Sequence, residues 1–420
     1  MKKYSKAILV SLMVLLFLFV SCSKKESTSD SAQAKEAKQS YKIALVVEST
    51  VDDKGWCQAM YDGLVEAKGI LGDKIEFKVF EKMLAIDSGS IFRQCAAEGY
   101  NLILAHGAQY KNSIIEVAAD FPKVSFAYGT ADIIAGDNIF TYMPESEETG
   151  YLAGLLAGFM TKSGIVGLVG PVDGGDAARY NRGYVLGVQK ANPKAKILVA
   201  HTGSFSDNVK ASEIATSQIK NGADVLSGSA QQAVGALVAT ADSKNGLWVA
   251  QDYAQLETDA GKKRCLAASS YNYGAVIVDI VNNYLDKGVK GGICIPLNFN
   301  NNGFVFKYND ALKSSIPSEV VKEVDAALAS FKAASGTLSN WRRVDYSKLG
   351  YGRIKSSGVV LTFKQGLHNP FFIYGGTNEL QNQIHVKKEC FSLFQAGGKR
   401  RDNIFNNGGY NKKVSGTSCP

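Results

Sequence analysis

Apolar positions along the chain follow two rhythms in alternation. Short runs rich in β-branched and aromatic residues suit strands buried on both faces, and between them lie longer stretches whose apolar residues recur at helical spacing. The first run is YKIALVVE at 41–48. A polar loop, STVDDKGW, follows, and then a helix in which Ala59, Met60, Leu64, Ala67 and Ile70 share one side before Gly72 closes it. The cycle repeats with strands at 75–82, 101–107, 124–130 and 138–143 and helices at 88–98 and 110–119. After a joining helix at 147–160 it starts again, with strands at 165–172, 195–203, 223–230, 246–253 and 264–272 and helices at 176–190, 211–221, 231–243 and 274–285. A strand at 303–308 and a polar helix at 318–334 complete the pattern. Alternation of this kind predicts parallel sheets with helices on both faces.

The joining helix carries small or apolar residues around most of its circumference, so it should be buried on nearly all sides. Gly150, Gly154 and Gly158 recur on one face. Each glycine costs a helix about 1 kcal/mol relative to alanine, so a close backbone neighbour must offset it. The segment reads as the first helix of a second α/β lobe, although a core helix of one larger domain would have the same composition. A chain of 420 residues favours two cores with tails.

The termini change this picture. Lys2, Lys3 and Lys6 precede an apolar run from Ala7 to Val20 that is too short for an ordinary transmembrane helix, and the run ends in Phe-Val-Ser-Cys. That ending resembles a bacterial lipoprotein signal over residues 1–22, with Cys22 as the lipidated residue; a plain secretory signal or uncleaved anchor is the alternative. Residues 23–40 contain no large apolar side chain and should form a flexible tether, so the body is expected outside the cytoplasm, in a periplasm or on a cell surface, held to a membrane by lipid. The net charge of +8 is accounted for by the three lysines of the signal and by nine Lys/Arg against three acids after residue 354. A nearly neutral body argues against nucleic acid as a partner. Residues 354–420, rich in Gly, Asn and charge toward the end, form an extension with no assignable role. Six further cysteines and four histidines lie too far apart in sequence for a metal or redox motif, so neither metal nor cofactor is expected.

In parallel α/β sheets ligands sit at the carboxyl ends of strands. The first such loop brings Asp53, Trp56 and Gln58 together, carboxylate and amide beside a flat ring for stacking. Asp53 could equally cap the next helix, with Trp56 packed inward. His106 ends another strand beside Gly107, where a ligand contact and a hydrogen-bonded structural role are both open. In the second half Phe205 with Asp207, then Gln231 and Gln232, and then Asp252 repeat the theme of an aromatic beside amides and carboxylates. The tract Gly-Gly-Asp-Ala-Ala at Gly174 is a weak phosphate cradle, with no P-loop or dinucleotide fingerprint to support it. No nucleophile elbow or acid–base pair is evident, and an enzyme is not expected.

DDKGWCQAMYDG, ILAHGAQY, FAYGT, TGYLAGLLAGFMTKSGIVGLVG, NPKAKILVAHTGSFSD, QIKNGADVL and VAQDYAQ together resemble the basic membrane protein family of substrate-binding lipoproteins, which includes purine nucleoside receptors of ABC transporters. The resemblance covers roughly Tyr41 to Tyr351 and implies a type I periplasmic-binding-protein fold, α/β, with two Rossmann-like lobes joined by three crossovers and closing on a ligand without catalysis. It implies lobe 1 at 41–143 with 273–300 and lobe 2 at 144–272 with 301–353. By the same resemblance Asp53 and Trp56 match the first ligand loop, Tyr110 an aromatic of the later motif, Phe205 the opposing lobe's ring, and Asp252 a carboxylate for ribose hydroxyls. The nucleoside receptors have Phe-Asn where Trp56 and Cys57 stand, Lys where Asn272 stands, and Phe where Ala108 stands. The implied ligand is therefore a purine nucleoside or a free nucleobase, delivered to an ABC permease; an extracytoplasmic sensor or surface lipoprotein of the same fold is the alternative.

Overall fold

The computed structural model describes residues 40–334, 338 and 340–349; the signal, tether and C-terminal extension inferred above lie outside them. Two six-stranded sheets form the body. The first contains β1 (Tyr41–Val46), β2 (Ile75–Phe80), β3 (Leu102–Ala105), β4 (Ser125–Gly129), β5 (Ile139–Pro144) and β11 (Ile293–Leu297) in the order β11-β5-β4-β3-β1-β2, every pairing parallel. The second contains β6 (Ile165–Gly170), β7 (Lys196–His201), β8 (Val225–Gly228), β9 (Leu247–Ala250), β10 (Cys265–Tyr271) and β12 (Phe304–Tyr308) in the matching order β12-β10-β9-β8-β6-β7. Only β12 runs antiparallel to its neighbour. The strands of both sheet centres are buried along their length, because helices cover both faces: the continuous apolar runs of the sequence are the mark of this arrangement.

Helices α1 (Trp56–Leu71), α2 (Ser88–Ala97) and α3 (Lys111–Asp120) belong to the first sheet. Helices α4 (Glu147–Met160), α5 (Gly175–Ala191), α6 (Asn208–Lys220), α7 (Ala233–Asp242), and the short α8 (Tyr253–Leu256) and α9 (Asp259–Arg264) follow the chain into the second. The chain returns to the first lobe through α10 (Tyr273–Asp279), which packs on α1: a Cβ at Gly63 would sit 2.7 Å from the Gly274 nitrogen. After β11 it passes back to β12 and α11 (Ser318–Lys332). The structure is thus the two-lobed α/β fold with three crossings that the strand pattern and the family resemblance imply. One sequence expectation fell short. The segment 293–297 carries Pro296 among Gly-rich neighbours and was not read as a strand, yet it forms the edge strand β11, where a missing N–H costs no ladder bond within the sheet.

The three crossings are tied to one another. The Glu145 N–H donates to the Leu297 carbonyl at 2.7 Å, the Asn298 amide donates to the Glu145 carboxylate at 3.0 Å, and the Phe299 N–H donates to Glu148 at 2.9 Å. The Asn272 N–H donates to the Gly303 carbonyl at 2.9 Å. Burial, reinforced by Glu145 and Glu147, pushes the Glu148 carboxyl up to about 7 against the opposing effect of the Phe299 N–H. Beside it Arg179 grips Glu147 with two nitrogens and lies 5.0 Å from the Trp341 ring.

The glycines of α4 have the role their spacing implies. A Cβ at Gly150 would stand 2.0 Å from the Tyr180 carbonyl oxygen, and one at Gly154 2.0 Å from that of Tyr184. Helix α5 answers with Gly183 and Gly187, whose added Cβ atoms would stand 2.1 Å and 2.2 Å from the Glu147 and Tyr151 carbonyl oxygens. Backbone meets backbone, and no methyl fits between.

Replacing Gly154 by Ala should therefore destabilise the protein by at least about 2 kcal/mol despite the better helix propensity, through overpacking. Gly69→Ala in the exposed part of α1, where nothing lies within 4 Å, should instead stabilise by about 0.5–1 kcal/mol. Urea unfolding of the two variants separates the effects; equal shifts would show that the α4–α5 contact relaxes freely.

Candidate ligand-binding site

The loops at the carboxyl ends of both sheets' strands enclose a cavity of about 430 Å³. Glu48, Gly107 to Gln109 and Thr130 follow strands β1, β3 and β4 of the first lobe, with Gly55 and Trp56 at the start of α1. Val172, Gly174 to Ala177, Phe205, Ala230, Gln231, Gln251, Asp252 and Gln255 come from the second lobe, and Tyr271 ends β10 beside a crossing. The lobes meet over this space, since a Cβ on Gly55 would stand 2.9 Å from the Gln231 Cα.

The Trp56 side chain is held from behind. Its indole N–H donates to the His106 carbonyl at 3.2 Å, and its ring stacks on the His106 imidazole with centroids 4.1 Å apart and planes 13° from parallel. Tyr271 and Tyr273 meet it edge-on at 5.2 and 5.9 Å. The His106 Nε2 lies 2.9 Å from the Trp56 carbonyl, which can only accept, so Nε2 carries the proton. Nδ1 then accepts from the Tyr142 hydroxyl at 2.7 Å. Burial pushes the imidazole down to about 3, and the ring stays neutral.

Across the cavity Asp252 is 4% exposed. Its Oδ1 accepts from the Ala254 N–H at 3.2 Å and the Ser270 hydroxyl at 3.3 Å, while Oδ2 is buried with no protein donor. Burial raises this carboxyl well above the usual range, with Asp53 adding to the shift. Asp176, in the first turn of α5, is raised for the same first reason, although it accepts from the Tyr271 hydroxyl at 2.7 Å. That hydroxyl in turn accepts from the Gln251 amide at 2.9 Å, and the Gln251 carbonyl oxygen accepts from the Ala230 N–H at 2.8 Å. Gln255 uses its carbonyl oxygen on the Trp248 indole N–H at 3.0 Å. Phe205 is 42% exposed and forms part of the rim.

Of the residues that the sequence suggested for ligand contact, Trp56, Phe205, Gln231 and Asp252 line this one cavity. Six others stand outside its wall and shape the backbone instead. The Asp53 carboxylate accepts from the N–H groups of Gly55, Cys57 and Gln58 at 3.0–3.1 Å, and so holds the start of α1. Gln58 accepts from the Lys54 N–H at 3.2 Å in the same turn. His106 is the platform beneath Trp56. Tyr110 is buried in the first lobe, its hydroxyl donating to the Met83 carbonyl at 2.6 Å. Asp207 caps α6 through the Lys210 N–H at 2.8 Å, and Asn272 caps α10 through the Ala275 N–H at 3.3 Å. A short polar side chain before a helix satisfies an orphan N–H wherever the loop allows it, and here the backbone claims it. Glu48, Gln109, Gln251, Gln255 and Tyr271 were not singled out in the sequence, and Asp176 stood there only within the tract at Gly174. Their only mark is position, at or soon after a strand's end, which many residues share.

A sequence model of the family described as ABC transporter substrate-binding protein, PnrA-like, matches residues 40–333. A CD4+ T-cell-stimulating antigen of Listeria innocua is 28% identical over 235 residues, which is 54% of this chain and 64% of the relative, so the match spans less than two thirds of that protein's length. The ABC transporter nucleoside-binding protein BmpA of Lactococcus lactis is 24% identical over 341 residues, 77% of this chain and 96% of the relative. A purine-binding protein of Brucella abortus is 28% identical over 194 residues, 46% of this chain and 55% of its own. Among solved structures, an ABC transporter solute-binding protein from Conexibacter woesei superposes with a TM-score of 0.61 at 22% identity, over 72% of this chain and 99% of that one, which is a likeness of fold. The family match extends over the whole two-lobed body, from just before β1 to just after α11, and on that ground the chain belongs to the PnrA-like family of ABC transporter substrate-binding proteins.

Proposed function

We propose that the protein is a lipid-anchored extracytoplasmic receptor that captures a purine nucleoside or nucleobase between its lobes and hands it to an ABC permease. The observation that carries this reading is one cavity at the strand ends of both lobes, with Trp56 on one side and Phe205 with the half-satisfied Asp252 on the other. A flat ligand stacked on rings gains about 0.5–1.5 kcal/mol per ring beyond burial, and the orphan Asp252 oxygen is suited to a ribose hydroxyl or a ring N–H at about 1.5–3 kcal/mol. The names of the Lactococcus and Brucella relatives, nucleoside-binding and purine-binding, support the same ligand class. Cys22 is the residue proposed to carry the lipid.

The direct test is calorimetric titration of the full-length protein with guanosine, adenosine, guanine and a sugar panel. A purine is expected to bind, and Trp56→Ala to weaken it by about tenfold or more. Binding of sugars without purines, or affinity unchanged in the variant, would overturn the reading.

Asp252 predicts a stability signature as well. Its folded-state pKa lies above its unfolded one, so the stability linked to it is complete below the ordinary carboxyl pKa and is lost as pH rises toward the folded value. Asp252→Asn abolishes that loss, so the melting temperature of the variant relative to the parent should climb as pH rises above the ordinary carboxyl pKa of about 4, while purine affinity drops. A pH-independent difference would mean that the carboxyl titrates normally. For the anchor, metabolic labelling with a fatty acid should tag the parent protein and not Cys22→Ser, and equal labelling of the variant would exclude Cys22 as the lipid site.

A further inference from the structure

The cavity wall is electrostatically one-sided. Carboxyl groups of Glu48, Asp176 and Asp252 reach it from both lobes, and no Lys, Arg or His is among its lining residues. Two of the polar groups that could have offset them are already engaged: the Tyr271 hydroxyl donates to Asp176, and the Gln109 amide donates to Glu48 at 3.0 Å. Arg179 acts on Asp176 through space, yet its guanidinium is held by Glu147, sits 3.4 Å from Glu145 and lies against Trp341. The charged residues of the wall are therefore all acidic, and the Asp252 Oδ2 is buried with no donor among the described residues. In a partly apolar space an ionised carboxyl is poorly screened, and the indole of Trp56 in the wall adds its own attraction for a cation.

We propose that the cavity selects its ligand by charge: among nitrogen heteroaromatic compounds it takes the positively charged member in preference to its neutral parent, and it rejects phosphorylated forms. The inference rests on the ligand-binding reading above and narrows it. A cation entering between Trp56 and Asp252 stabilises the ionised form of carboxyls whose pKa burial raises, so binding is coupled to proton release, whereas a phosphate opposes that ionisation and meets no Lys, Arg or His in the wall.

The test is calorimetric titration of the full-length protein with two matched pairs, guanosine against 7-methylguanosine and adenosine against 1-methyladenosine, at a pH where both methylated compounds are cations. Their methyl groups lie on different edges of the purine, so one steric clash cannot mask both comparisons. Guanosine 5′-monophosphate and 1-methylnicotinamide complete the panel. The expected result is a cation at least about tenfold tighter than its parent in one pair or both, with proton release seen as a buffer-dependent enthalpy, no binding of the monophosphate, and collapse of the ratio in Asp252→Asn. Parents that bind as tightly as the cations or more tightly in both pairs, or a monophosphate that binds like its nucleoside, would overturn charge selection and leave the nucleoside reading standing. Binding of 1-methylnicotinamide with no nucleoside would overturn the nucleoside reading and leave charge selection standing. No binding by any compound would remove both.

Discussion

The contact between α4 and α5 is the constraint on which the rest of the molecule is built. Helices normally approach to 8–10 Å with side chains interleaved. Here glycines on both partners bring carbonyl oxygens to where a Cβ would otherwise stand, on α4 at Gly150 and Gly154 and on α5 at Gly183 and Gly187. That approach does two things at once. Helix α4 begins directly after the first crossing, and α5 begins at Gly175 in the cavity wall, so fixing one against the other fixes the cavity lip against the place where the lobes join. Packed interiors resist small displacements, and a shift there would be felt at Asp176.

The cavity follows a division of labour that is common to strand-end sites. Several residues that touch the enclosed space are held by hydrogen bonds from neighbours behind or beside them. Trp56 depends on a neutral His106 and on Tyr142 behind that; the opening turn of α1 depends on Asp53; Tyr271 is held between Gln251 and Asp176. Second-layer hydrogen bonds of this kind fix the rotamers of the groups in front of them, and so reduce the ordering that a ligand must accomplish on arrival.

Much of this architecture was legible in the chain. Buried strands of four to seven residues, each followed by a helix, are visible as apolar runs because parallel sheets are covered on both faces, and the joining helix announced its tight packing through its glycine spacing. The edge strand β11 was not legible, since Pro296 and the surrounding glycines mimic a loop, and neither were the short helices α8 and α9, too brief to show a period. At the site, sequence picked out Trp56 and Asp252, which line the cavity, but could not separate a polar side chain in the wall from one that only caps a helix, and Asp252 does both. Asp53, Asp207 and Asn272 have the same chemistry and the same loop positions as true wall residues. Only the direction in which each side chain points distinguishes them, and direction is a property of three dimensions.

The hydrogen bonds among the crossings restrict how the halves can move. The third crossing lies between the other two, bonded to the first through Glu145 and Glu148 and to the second through Asn272. Sliding one lobe past the other would shear all of these links together, whereas swinging about a line through them leaves each intact. Links arranged in this way oppose shear between the sheets more strongly than bending along the line of the crossings.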